Sequence, residues 1–365
     1  MKRFVLILLI LPLLSVSAYA EGTGFPLSEE LNTSAVKDSL PEDVQKIGGE
    51  LRYAGDYDGT GALERLWNSF LSQIIVSLRS SAREVFSVMA IAILCALGTC
   101  LSPGQKQSEM IQIAGCAACS CLLGGGMNSL VGRAVNALTS LSDYAKAALP
   151  AIYSAAAAGG APTSASARYA ASCLALDLMM SASQHLLIPV LYAAIAMTVC
   201  AGIYDHPLLR GMLRTGKKLA TLLLSALTLG FTAFLSVTGI VTGSADEAAV
   251  KAARTVMTAA IPVVGKILSD AASSVVSAAS VIRNTAGAFG LVSVCALCSA
   301  PFAAFGVRKL LFSLAAAATE MTGLERVSRL LGEFSSLMAL LLGMVGAYGL
   351  MLFVSIVSAI RTVTG

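Results

Sequence analysis

From Phe334 to Ile360 the chain runs for 27 residues without one charged side chain. A helix needs about 20 apolar residues to cross the hydrocarbon core of a bilayer. No water is available there, so the backbone must satisfy its own hydrogen bonds, and only helices or closed barrels can do so. The stretch is too long for a barrel strand, which fixes the class of everything around it. Val85–Leu101, Met110–Val131, Leu219–Val241 and Ala286–Phe305 read as further spans, and Tyr169–Tyr204 as a bent one broken at Pro189. Leu310–Met321 is short and carries Glu320. The expectation is an all-α polytopic membrane protein with about six to seven spans. Composition agrees: 13% of residues are charged, against about 25% in soluble domains.

The first twenty residues have the layout of a targeting signal. Lys2 and Arg3 precede the short apolar run Phe4–Leu14, and Ser-Ala-Tyr-Ala closes it at residues 17–20. This predicts a signal peptide cleaved before Glu21, with the mature N-terminus outside the cytoplasm. Residues 21–84 then form an external N-terminal region. Within it Leu63, Leu66, Trp67, Phe70, Leu71, Ile74 and Leu78 mark one face of an interfacial helix. Spans one to four occupy 85–242, and the C-terminal spans 286–365. Arg133–Gly160 is interrupted by Asp143, Lys146 and Pro150 and reads as an extramembrane or re-entrant hairpin.

Between the two sets of spans, 243–285 is too polar to cross. Val250, Ala253, Met257, Ala260 and Val264 follow helical spacing, as do Leu268, Ala271, Val275, Ala279 and Ile282. Pro262 separates the two stripes, because proline lacks an N–H and crowds the preceding turn. The expectation is an amphipathic helical hairpin with its hinge at Pro262, where Gly265 allows another backbone to come close. Asp270 lies on the polar face. Basic residues orient the spans. An external N-terminus puts Lys106, the cluster Arg210, Arg214, Lys217 and Lys218, and the pair Arg308 and Lys309 on the cytoplasmic side, and the hairpin outside.

Candidate chemistry is sparse. Asp177 and His185 share one side of the third span, and Glu320 lies in the short segment. A carboxylate at membrane depth serves ion coupling or lines a pore; alternatively, the outer half of that helix projects into water. The nine cysteines include Cys116/Cys119 and Cys295/Cys298. Both pairs sit in apolar runs, which favours packing over a metal site. With two histidines and no phosphate loop, nucleophile elbow or zinc-protease motif, the sequence predicts neither enzyme nor cofactor. Scattered Lys and Arg argue against nucleic acid.

The run Ala260-Ile261-Pro262-Val263-Val264-Gly265, then Ser269-Asp270-Ala271, then Arg283-Asn284, Gly287 and Gly290, resembles the stage III sporulation protein AE family. The layout of signal, spans and late hairpin fits as well. The resemblance implies residence in the mother-cell membrane around the engulfed forespore. It implies a place in the stage III sporulation A complex, thought to link to a forespore membrane protein as a channel. The implied partners are membrane lipid, ring-forming proteins and a cytoplasmic ATPase, and the implied outcome is late forespore gene expression. It brings no catalytic residues. The alternative is a permease-like carrier of a small solute, with Asp177 and His185 at its site.

Overall fold

The computed structural model describes residues 25–26, 40, 53–54, 59–102, 104–159, 161–204, 207–260 and 264–361, with backbone alone for 238–285. The segment read as a signal peptide lies outside the described residues. So does Pro262.

The described chain is helical apart from a two-residue antiparallel pairing, Phe25–Pro26 with Tyr53–Ala54. The helices are α1 (Gly59–Leu101), α2 (Gln105–Ala158), α3 (Pro162–Ala182), α4 (Ile188–Ile203), α5 (Pro207–Ala260), α6 (Val264–Met321) and α7 (Glu325–Arg361). A π-helical turn, Ser183–Leu187, joins α3 to α4. Six helical segments among the described residues are long and apolar enough to cross a membrane, α3 and α4 counting as one. The protein is an all-α polytopic membrane protein.

Several sequence expectations change here. Arg133–Gly160 is no separate hairpin, because α2 runs unbroken from Gln105 to Ala158 with Pro150 inside it. Leu130, Ala134, Leu138, Leu141, Ala145, Ala148 and Ile152 continue one buried stripe through the segment. Arg133, Asp143 and Lys146 sit exposed on the other face. Packing on the buried side outweighs the one hydrogen bond that proline removes. At 54 residues the helix is about 80 Å long, well beyond a hydrocarbon core of about 30 Å, so part of it projects past the bilayer.

The third span is widened rather than broken. The N–H of Ile188 bonds to the carbonyl of Ser183, five residues back. Pro189 follows directly; the wider turn makes room for its ring.

The short segment Leu310–Met321 is not a separate span either; it is the end of α6. Arg308 and Lys309, expected in a loop, lie within that helix. Arg308 can stay there because Glu84 of α1 accepts two bonds from one edge of its guanidinium, from Nη2 to Oε1 at 3.1 Å and from Nε to Oε2 at 3.3 Å. The carbonyl of Lys309 accepts from Ser335 Oγ at 3.0 Å. The stripe expected to form an interfacial helix is likewise continuous with the first span in α1.

The turn from α6 to α7 has a clear local cause. Gly323 has φ +77°, a left-handed conformation that glycine adopts without strain. Its N–H bonds to the Glu320 carbonyl at 3.0 Å, and that of Leu324 to the Thr319 carbonyl at 3.3 Å. These are the two bonds of a Schellman helix end, and Leu324 is buried against the core as that motif requires.

The core sits on α6 and α7. In their most apolar windows 78% and 72% of residues are buried, against 11% in α1. Phe334, Leu337, Leu341, Val345, Tyr348, Leu352 and Ile356 fill the inner face of α7. Lipid is as apolar as these side chains, so close packing rather than water exclusion holds them together. Cys298 is buried where α6 meets α7: a Cβ built on Gly349 would lie 2.6 Å from its sulfur. Cys95 meets Gly115 the same way between α1 and α2. Thiols and glycines here set how closely backbones approach.

Candidate functional site

Two polar layers interrupt this packing, one near each end of the bundle. The first joins the C-terminal end of α2, α3 and the end of α7. Tyr153 Oη lies 3.1 Å from Ser172 Oγ and donates to the Ser355 carbonyl at 3.1 Å, while Ser355 Oγ donates to Ser172 Oγ at 2.6 Å. Arg168 Nη1 donates to the Ser358 carbonyl at 2.7 Å and to Ser358 Oγ at 3.0 Å. A cation on the last carbonyls of α7 complements the negative end of that helix. All of these groups are uncharged except Arg168, and their bonds run between the three helices.

The second layer surrounds a cavity of about 800 Å³ between α4, α5 and α7. Its wall is built from two helix faces. On α5, Arg210, Arg214 and Lys217 recur at helical spacing, and Thr221, Leu224 and Thr228 continue the row. On α7, Arg326, Arg329 and Glu333 do the same, followed by Ser336, Leu340, Gly343 and Ala347. Lys218 adds a sixth cation, and Glu333 is the only carboxylate on the lining among the described residues. Lys217 Nζ pairs with Glu333 and also donates to Ser336 Oγ at 2.6 Å. Arg326 Nη2 reaches Glu109 of α2 at 2.8 Å. Lining of this kind can hold an anion.

Charge and apolarity are separated along the cavity. Arg210, Arg214, Lys218 and Arg329 are exposed, whereas Leu224, Leu330 and Leu340 are buried. The hydroxyls farther in serve their own helices: Thr221 Oγ1 donates to the Lys217 carbonyl and Thr228 Oγ1 to the Leu224 carbonyl, each at 2.8 Å. Thr198 Oγ1 does so on α4, to Ala194 at 2.7 Å. The inner wall is therefore effectively apolar, with Phe302 of α6 also on the lining.

The residues singled out from sequence lie elsewhere. Asp177 and His185 are exposed on the outside of the bundle, and His185 Nδ1 lies 3.1 Å from the Ser181 carbonyl, within its own helix. Glu320 is exposed at the end of α6. None of the three lies on the lining of the basic cavity. Gly265 and Asp270 fall in the first two turns of α6. Among the described residues no group of His, Cys, Asp and Glu is placed to hold a metal. The cavity was missed because its α5 cluster served only to orient the spans. Its signal was present: cations on one helical face giving way, on that same face, to small and apolar residues, in two separate helices.

Comparison with curated proteins and with solved structures finds no match. The family model described as stage III sporulation protein AE matches residues 54–362, which takes in the whole helical bundle and the stretch between its spans. The chain belongs to the stage III sporulation protein AE family.

Proposed function

We propose that this protein is a membrane-embedded platform of the stage III sporulation channel complex, in the mother-cell membrane that surrounds the forespore. It acts as a scaffold rather than a catalyst. The helical bundle anchors it, and the stretch 243–285 docks the ring-forming proteins on the forespore side. The basic end faces the mother-cell cytoplasm, where the complex's ATPase works. The observation that carries this reading is the extent of the family match, 54–362, over bundle and hairpin together. The helix lengths support it: α5 and α6 have 54 and 58 residues, about 80 Å and 90 Å, enough to cross the bilayer and extend beyond it.

The test is affinity purification of the tagged full chain from sporulating cells, with variants Gly265→Leu and Asp270→Lys. Both should insert at the parental level and recover several-fold less of the ring-forming proteins, with late forespore gene expression reduced in parallel. Parental recovery by both variants would remove the docking role.

A further inference from the structure

We infer that the basic cavity between α4, α5 and α7 is a binding site for an anionic phospholipid, its phosphate at the cations and one acyl chain along the apolar wall. Three observations converge. Among the described residues six cations and one carboxylate line the cavity; Lys217 is paired with Glu333 and Arg326 with Glu109, which leaves a surplus of positive charge on the lining. A bound phosphate complements that surplus. Second, the cations lie where charged turns give way to spans: Lys218 directly precedes the apolar run Leu219–Val241, and Arg326 and Arg329 lie within about two turns before Phe334–Ile360. Basic pockets between helices at this level, on the side rich in Lys and Arg, are suited to lipid headgroups. Third, the space is shaped for more than a headgroup. Its volume of about 800 Å³ lies in the range of lipid and cofactor sites rather than that of a lone phosphate. Its deeper wall, with Leu224, Leu340, Gly343, Gly346, Ala347 and Phe302, offers nothing to a soluble anion.

Gly343 and Gly346 keep that wall open. A Cβ at 343 would lie 3.8 Å from Leu224 and one at 346 would lie 3.1 Å from the Phe302 ring, so a larger side chain at either position takes up space along the wall. The two parts of the ligand can therefore be tested separately. Arg214→Gln with Lys218→Gln removes headgroup charge without touching the Lys217–Glu333 pair. Gly343→Leu fills the chain slot and leaves every cation in place. Arg214→Lys keeps the charge and serves as the conservative control.

The experiment is association of spin-labelled phosphatidylglycerol with the full chain in phosphatidylcholine vesicles, with inorganic phosphate as competitor. The parent and Arg214→Lys should select phosphatidylglycerol over labelled phosphatidylcholine. The double variant should lose that selectivity by roughly tenfold or more, since each cation near a membrane surface contributes on the order of a fivefold factor. Gly343→Leu should weaken retention several-fold, and millimolar phosphate should compete poorly. Undiminished selectivity in the double variant would overturn the site. Full displacement by inorganic phosphate, with Gly343→Leu unaffected, would show a soluble-anion site and overturn the lipid assignment. Melting of each variant in detergent identifies any that has failed to fold; Gly343→Leu and the double variant perturb different helices, so a folding failure in one leaves the other as the test.

Discussion

The two polar layers use similar numbers of side chains to opposite ends. Around Tyr153, the hydroxyls of Ser172 and Ser355 and the guanidinium of Arg168 find partners on neighbouring helices. Around the basic cavity, α5 and α7 bring six cations to one lining, with Glu333 the lone carboxylate on it among the described residues. A closed, mutually bonded set specifies how helices pack and asks nothing of a ligand. A lining with a surplus of positive charge gains from a counter-ion. The comparison separates a layer that holds the bundle together from one that recognises something.

That contrast can be broken most forcefully at Tyr153. Tyr153→Ala removes a buried ring and leaves Ser172 and Ser355 short of a partner, so stability should fall by about 3–5 kcal/mol. Thermal unfolding in detergent measures it, and a loss below about 1 kcal/mol would mean the layer is not structural. Next in size is Arg168→Met, which keeps the apolar stem and deletes the cation on the last turn of α7. Loss of a partly buried helix-end charge should cost about 1–2 kcal/mol by the same measurement. Smallest is the effect of Arg214→Gln with Lys218→Gln on stability in lipid-free detergent. These are exposed charges, and their removal should change unfolding by about 0.5 kcal/mol or less, with relief of repulsion favouring the variant. A large loss there would erase the distinction between the layers.

The spans were legible because charge-free runs of bilayer length leave a helix no alternative. Phe334–Ile360 and Leu219–Val241 lie where the sequence put them, inside α7 and α5. Continuity was less legible. Pro150 and the charges around it suggested a break in α2, yet a stripe from Leu130 to Ile152 on the opposite face carries the helix through. Pro189 did mark an irregularity, but the chain answers it with a wider turn on the N-terminal side. Arg308 looked like a loop residue until Glu84, more than two hundred positions earlier, supplied its partner. A pairing between α1 and α6 is a tertiary fact that no local pattern encodes. The same limit hid the cavity. Its two faces are each visible in the sequence, but that they confront one another follows only from how α5 and α7 pack. Asp177 and His185 drew attention as rare polar residues in a span, and the structure turns both outward.

The most direct test compares the two layers in one titration. The full-length parent, Tyr153→Phe and Arg214→Gln/Lys218→Gln are melted in detergent with increasing phosphatidylglycerol, phosphatidylcholine serving as the blank. A ligand bound only by the folded state raises the melting temperature by an increment that grows with the logarithm of its concentration above Kd. Tyr153→Phe should begin lower, by about 1 kcal/mol for the lost hydroxyl bonds, and gain the same increment as the parent, because its cavity is intact. The double variant should begin near the parent and gain little. Equal increments in all three, or no increment in the parent, would contradict the division of the bundle into a structural layer and a lipid-binding one.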